Sequence, residues 1–98
     1  MKILEIRIKN DNGKPLKAFA DVELDSGIII REFRIVQQPG LRPSVYCPQL
    51  SWKDPGTGLI KYKMVITFPN QLKGEIDLLI LTAWNREKEK NSGSNLQR

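Results

Sequence analysis

A tryptophan and four basic residues have types and spacing that fit the binding of an anionic polymer: Trp52, Lys53, Lys61, Lys63 and Arg34. Lys61 and Lys63 lie two positions apart and would share one face of a strand, while Lys53 directly follows the tryptophan. In such a set an indole can stack on a base, and an ammonium group can contact phosphate. The alternative is that Trp52 packs over a sheet edge and the lysines only keep the surface hydrated. The sequence alone gives these two interpretations equal weight.

The residue types present do not support enzymatic chemistry. The chain has no histidine and one cysteine, so it offers no Ser-His or Cys-His pair and no His/Cys metal site. Asp21, Glu23 and Asp25 alternate along one stretch; a divalent ion could bind there, but their loose spacing favours a solvated strand face. Gly56 and Gly58 are not followed by the Lys-Ser/Thr pair and helix of a phosphate loop. We expect no enzyme, metal, cofactor or small-molecule substrate.

The cysteine count and the first residues bear on the compartment. Cys47 has no second cysteine with which to form an internal disulfide, which fits a reducing compartment and a small apolar role in a strand. Charged residues interrupt the first apolar run, so no signal peptide is indicated. No span approaches the roughly 20 apolar residues of a transmembrane helix. We expect a cytoplasmic protein with no membrane partner.

Length and charge limit the class of protein. A chain of 98 residues fits one domain, and its small core makes oligomerisation a source of extra stability. The net charge is +5 and the pI is about 9.6, which favours anionic partners such as nucleic acid. The positive charge is spread over every segment rather than gathered in one run.

Alternating apolar residues predict strands in the first half of the chain. The first strand covers residues 1 to 9, and a hairpin with a turn at Asp25-Ser26-Gly27 covers Leu16 to Val36. We place this hairpin at the centre of the sheet. Its second arm has apolar residues on both faces, because alternation puts Ile30 on one face and Phe33 on the other. This pattern predicts that the strand is either buried on both faces or in contact with another subunit.

The pattern after this hairpin is less regular. A loop is predicted from Gln37 to Pro43, followed by a short strand from Ser44 to Cys47. Residues 49 to 58 are polar and rich in turn residues, and alternation resumes from Leu59 to Phe68. We interpret residues 44 to 68 as one β-hairpin with a long, mobile tip.

Helical spacing begins after Pro69. Asn70 is a suitable N-cap, and a stripe of apolar residues predicts a helix over residues 71 to 88. The stripe comprises Leu72, Ile76, Leu79, Ile80 and Ala83. Its apolar arc is wider than one sheet face needs, which predicts a dimer interface that comprises Leu78, Leu81, Trp84 and, from the central hairpin, Ile30.

The expected architecture is an α+β domain over residues 1 to 90. It has an antiparallel sheet of about five strands and one C-terminal α-helix, and it forms a homodimer. Residues 91 to 98 are polar and are expected to be a disordered tail.

Several motifs, taken in order over about residues 1 to 85, resemble the stage V sporulation protein G family (SpoVG, the septation regulator). They are Ala20-x-Val22-x-Leu24-Asp25, Arg34-Ile35-Val36, Cys47-Pro48, a Pro/Asp/Gly turn, and Pro69-Asn70 at the start of the helix. The resemblance implies a small bacterial homodimer that binds DNA or RNA and regulates transcription, cell division (septation) and sporulation. Arg34 and Arg7 match basic positions of the family.

This sequence departs from the family pattern in the hairpin. The family has a Ser-Lys-Arg-type basic step after the proline that matches Pro48, whereas here only Lys53 is basic. The turn is Asp54-Pro55-Gly56 rather than Pro-Asp-Gly, and Phe68 stands where the family has histidine. A second hypothesis therefore remains open: a protein-interaction module that uses the Trp52 loop or the apolar helix arc.

Overall fold

The described residues form six strands, which make two sheets, and one helix. The computed structural model describes residues 1–9 and 13–96, with side chains through residue 90. The elements are β1 (Lys2–Ile8), β2 (Leu16–Glu23), β3 (Ile29–Val36), β4 (Ser44–Tyr46), β5 (Gln49–Lys53), β6 (Ile60–Met64) and α1 (Asn70–Leu96). The predicted α+β class and single C-terminal helix are confirmed. The single sheet of about five strands is wrong, because the strands form a four-stranded sheet and a separate two-stranded sheet.

The four-stranded sheet is an antiparallel meander in the order β1-β2-β3-β4, so the β2–β3 hairpin lies at its centre as predicted. The turn between β2 and β3 is closed by a hydrogen bond from the Gly27 amide to the carbonyl of Leu24, at 2.9 Å. Gly27 has φ 92°, a left-handed conformation that glycine adopts without steric cost. This turn places the two arms in register, and the core builds on them.

A β-bulge in β3 changes which residues face the core. Ala20 pairs with Phe33 and Val22 pairs with Ile30, so β3 has one residue more than β2 between the two pairs. Glu32 in this bulge has φ 66°. The extra residue reverses the alternation, and Ile30 therefore lies buried on the same side as Phe33. The prediction that Ile30 and Phe33 lie on different faces of this strand is wrong for that reason, whereas Ile29 does lie on the outer face, opposite Glu23.

Helix α1 covers the inner face of the four-stranded sheet. The carbonyl of Pro69 accepts the first helical hydrogen bond from the amide of Lys73, at 2.9 Å. Ile76, Ile80 and Trp84, four residues apart in turn, are all buried against the sheet. Each large apolar side chain that is buried in this way contributes about 1.5–3 kcal/mol.

The core joins residues of the sheet and the helix. It comprises Ala18, Ala20, Val22, Ile30, Phe33, Ile35, Val45, Cys47, Ile76, Ile80 and Trp84. Of the predicted helix stripe, Ile76 and Ile80 belong to it, and Leu72 and Leu79 pack against it. Helix α1 extends to Leu96, although a disordered tail is predicted from residue 91. Side chains from residue 91 onward and residues 97 and 98 lie outside the described part, so the tail stays a prediction.

Strands β5 and β6 form the second sheet, a hairpin that packs chiefly on itself. The predicted pairing across residues 44 to 68 is wrong, because β4 pairs with β3 and the hairpin begins at Gln49. Pro48 separates β4 from β5, since it has no amide hydrogen to continue a ladder. Phe68 turns towards the core and stacks on Phe33, with ring centroids 6.1 Å apart.

Within residues 1–9 and 13–96, no helix combines the length and the apolar character needed to cross a bilayer.

Candidate nucleic-acid interface

One exposed face of the β5–β6 hairpin carries the tryptophan and two of the predicted lysines. In the register of the hairpin, Trp52 lies opposite Lys61 and Leu50 lies opposite Lys63. Directly paired residues in an antiparallel ribbon point to the same side, so these four side chains share one face. Trp52 is 44% exposed, and its three neighbours on this face are also exposed. We call this set the hairpin face.

The tip of the hairpin is organised by Asp54. Its carboxylate accepts hydrogen bonds from the Gly56 amide at 3.1 Å and from the Thr57 hydroxyl at 3.0 Å. The ammonium group of Lys61 lies 3.2 Å from the same carboxylate. The Gly56 amide, followed by Lys61 and Thr57, holds the pKa of Asp54 below its ordinary value. Asp54 therefore offsets part of the charge of Lys61, whereas no carboxylate among the described residues lies within 4.0 Å of Lys63.

The opposite face of the hairpin has a different character. Lys53 pairs with Ile60, so it lies with Tyr62 and Met64 rather than with the other two lysines. The predicted set is therefore divided between the two faces. Ile60, Tyr62 and Met64 are all more than half exposed. A two-stranded hairpin is only marginally stable alone, so this one would gain stability from a partner. A contiguous exposed apolar surface such as this face is typical of an interaction site.

Arg34 belongs to the outer face of the four-stranded sheet, the side away from α1. It lies opposite Phe19 on β2 and opposite Tyr46 on β4, and Phe19 in turn lies opposite Arg7 on β1. The guanidinium carbon of Arg34 is 5.9 Å from the centroid of the Phe19 ring. Arg34 therefore lies in a different sheet from Trp52, beside aromatic residues that sequence analysis missed. The available signal was Phe19, an aromatic residue at a water-facing position of the alternation.

A buried carboxylate lies beside this row. Asp21 is 2% exposed and accepts two hydrogen bonds from Arg7, at 2.9 and 3.1 Å, and one from Arg31 at 3.1 Å. It also accepts a hydrogen bond from the backbone amide of Glu32 at 3.0 Å, which holds the β-bulge. Arg7, more than the Glu32 amide and Arg31, keeps the pKa of Asp21 below its ordinary value, although burial opposes this.

The expected solvated face of three carboxylates is therefore wrong for Asp21. Of the other two, Glu23 lies 4.0 Å from the ammonium of Lys2. Asp25 lies in the turn rather than on β2, and it contacts the N-terminal amine. Each of the three carboxylates thus faces a cation of the chain itself.

The four residues of the predicted dimer interface lie in different environments. Ile30 and Trp84 are buried within the core, and Leu81 is partly buried against it. Leu78 is 70% exposed and is the one member of the four whose side chain is mostly open to solvent. Ile30 entered the prediction through strict alternation, which the bulge interrupts. Dimerisation itself stays a prediction.

Neither a scan of protein-family models nor searches of curated proteins and solved structures found a match.

Proposed function

We propose that this protein is a small cytoplasmic regulator that binds nucleic acid as a homodimer and has no enzymatic activity. The observation that carries the proposal is the hairpin face, where Trp52 lies directly opposite Lys61 and beside Lys63. The regulatory role, in transcription, septation and sporulation, follows from the sequence resemblance to the stage V sporulation protein G family.

The chemistry of the hairpin face fits a polynucleotide. Stacking of a base on an aromatic side chain contributes about 1–3 kcal/mol, and it does not depend on which base stacks. Lys61 and Lys63 lie about 6.7 Å apart along their strand, so each ammonium group can contact a separate phosphate. The net charge of +5 adds a favourable long-range attraction for any polyanion.

Uncovered apolar surface supports the homodimer. Ile60, Tyr62 and Met64 on one side of the hairpin and Leu78 on α1 are exposed in the single chain. Burial of such surface in a second copy would remove it from water at about 25 cal/mol per Å². Light scattering at micromolar concentration should give twice the chain mass, and a monomeric mass would contradict the dimer.

The binding proposal is tested by a mobility-shift assay at low salt with one DNA fragment and one RNA fragment. We expect retardation by the wild type and a loss of most of it in the Lys61→Ala, Lys63→Ala variant. The matched control is Lys2→Ala, Lys90→Ala, which removes the same charge from two exposed lysines outside the hairpin. If neither fragment is retarded at low ionic strength, or if both variants weaken binding equally, the hairpin face is not a nucleic-acid interface.

A protein-interaction module is the second candidate, and the exposed Ile60, Tyr62 and Met64 favour it. It predicts that a protein partner is captured at a salt concentration that removes nucleic acid. The predicted Trp52 loop is strand β5, and Trp52 lies on the face away from these three residues. Tyr62→Ala should therefore abolish capture through the apolar side, whereas Trp52→Ala should abolish it only if the contact is the hairpin face. Capture that persists in both variants would exclude the hairpin as the contact.

A further inference from the structure

We infer that the outer face of the four-stranded sheet is a second nucleic-acid site, which binds a single strand by stacking a base on Phe19. The inference rests on the proposed function, because it assumes a protein that binds nucleic acid. It deepens that function by naming the form of the ligand and by adding a surface outside the hairpin.

A row of four side chains crosses the sheet at this site. Arg7, Phe19, Arg34 and Tyr46 come from β1, β2, β3 and β4, and each lies directly opposite the next. Neighbouring strands are about 4.8 Å apart, so the two aromatic residues lie about 10 Å apart on one surface. Tyr46 is 47% exposed and Phe19 is partly exposed. The sheet therefore presents two aromatic rings to solvent on the side that α1 does not cover.

Positive charge surrounds the first of these rings. The guanidinium carbons of Arg7 and Arg34 and the ammonium of Lys9 lie 6.0, 5.9 and 6.0 Å from the centroid of Phe19. These distances are at the outer limit of a cation–π contact, so the three contacts are weak. They do not by themselves account for an aromatic residue on this exposed face. Arg7 is held by Asp21, whereas no carboxylate among the described residues lies within 4.0 Å of Arg34. Arg34 is therefore the cation that we assign to phosphate.

The geometry favours a single strand over a duplex. The flat faces of bases in a duplex are covered by their neighbours in the stack, whereas an unpaired base can lie on an aromatic side chain. The row is part of a broad sheet surface and not a narrow element that could enter a groove. The sheet face should therefore bind a single strand in preference to a duplex of the same length.

The test places a fluorophore at the proposed stacking position. The variant is Phe19→Trp in a Trp52→Phe background, where the other tryptophan, Trp84, is buried in the core. It is titrated with an oligo-dT single strand, with a duplex of the same length, and with heparin as a polyanion that has no bases. We expect oligo-dT to quench the emission, and we expect heparin and the duplex to leave it unchanged. Equal quenching by all three ligands would overturn the inference.

Affinity measurements supply a second readout. Phe19→Leu should weaken oligo-dT binding by roughly 5- to 150-fold, the equivalent of one stacked base, while Phe19→Tyr should keep it. If Phe19→Leu does not fold, Arg34→Gln should still reduce the salt slope for oligo-dT by about 0.7. Unchanged affinity in the Phe19 and Arg34 variants, together with loss in Lys61→Ala, Lys63→Ala, would overturn this site and leave the hairpin proposal standing. No binding of any nucleic acid by the wild type would overturn both.

Discussion

Removal of the Asp21 carboxylate should measurably destabilise the protein. Asp21→Ala eliminates three hydrogen bonds from Arg7 and Arg31 and leaves the amide of Glu32 without its acceptor. Breaking a buried ion pair costs about 3–5 kcal/mol when the remaining charge cannot hydrate. Here the side chains of Arg7 and Arg31 are 37% and 65% exposed, so water can solvate the freed guanidinium groups. We therefore expect a loss of about 2–3 kcal/mol, chiefly from the hydrogen bonds between the carboxylate and the two guanidinium groups.

Urea unfolding followed by circular dichroism measures this loss as a shift of the midpoint at constant slope. Asp21→Asn keeps an oxygen that can accept from the Glu32 amide and removes the charge, so it should lose less than Asp21→Ala. Glu23→Ala is the matched control, because its partner Lys2 is 4.0 Å away and well exposed, and it should cost no more than about 0.5 kcal/mol. A cost for Asp21→Ala as small as that of the control would refute the assigned role of this carboxylate.

Three further predictions follow from buried groups. The pKa of Asp21 is lower in the folded protein than in the unfolded chain, so its contribution to stability is complete above the unfolded pKa of about 3.9 and is lost as the pH falls through the folded pKa. At pH values below about 4, the urea concentration at the unfolding midpoint should therefore decrease more steeply for the wild type than for Asp21→Asn. The buried Nε1 of Trp84 has no hydrogen-bond partner among the described residues, so replacing the indole by a phenyl ring breaks no hydrogen bond in this part of the chain. Trp84→Phe should therefore lower the free energy of unfolding, measured with urea, by less than about 1.5 kcal/mol, and Trp84→Ala should lower it by about 3–5 kcal/mol. Equal losses in the two variants would contradict this prediction. Burial raises the pKa of the Cys47 thiol, so iodoacetamide at pH 8 should label the folded chain far more slowly than the chain in urea, and equal rates would be inconsistent with the structure.

Local patterns in the sequence predict much of the fold. Alternation is sufficient for β2 and for the end of β1, where Ile6 and Ile8 pack against the core. It fails at the start of β1, because a bulge between Ile3 and Glu5 places Ile3 against the core and leaves Leu4 exposed. The turn at Asp25-Ser26-Gly27 needs only the chemistry of three consecutive residues. The helix is predicted from a stripe at i, i+4 and i+8, in which Ile76 and Ile80 pack on the sheet.

Features that depend on a distant partner are not predicted. The bulge at Glu32 requires a positive φ in a residue other than glycine, and its amide bonds to Asp21, which is 11 positions away. Strand β5 has only Leu50 and Trp52 as apolar members, and it is a strand because β6 pairs with it. The alternation of Leu50 and Trp52 with polar residues is a short strand pattern, which the prediction of a polar, turn-rich stretch over residues 49 to 58 overlooked.

In the candidate sites, too, local features are predicted from the sequence and features that depend on strand pairing are not. Lys61 and Lys63 share a face because they are two residues apart on one strand, and sequence is sufficient for that inference. The place of Lys53 depends on the register between β5 and β6, which puts it on the other face. The Phe19–Arg34–Tyr46 row depends on registers among three strands, so it becomes visible only when the sheet is assembled.

The salt dependence of nucleic-acid affinity tests the central claim most directly. Binding of a fluorescent single strand is titrated at several salt concentrations for the wild type and for the Lys61→Ala, Lys63→Ala variant. Each phosphate contact releases counterions, so log affinity should fall linearly with log salt, and loss of two contacts should reduce the slope by about 1.4. The account predicts this reduction in slope for the hairpin variant and no change for Lys2→Ala, Lys90→Ala. An affinity that does not vary with salt, or a slope that both variants share with the wild type, would contradict it.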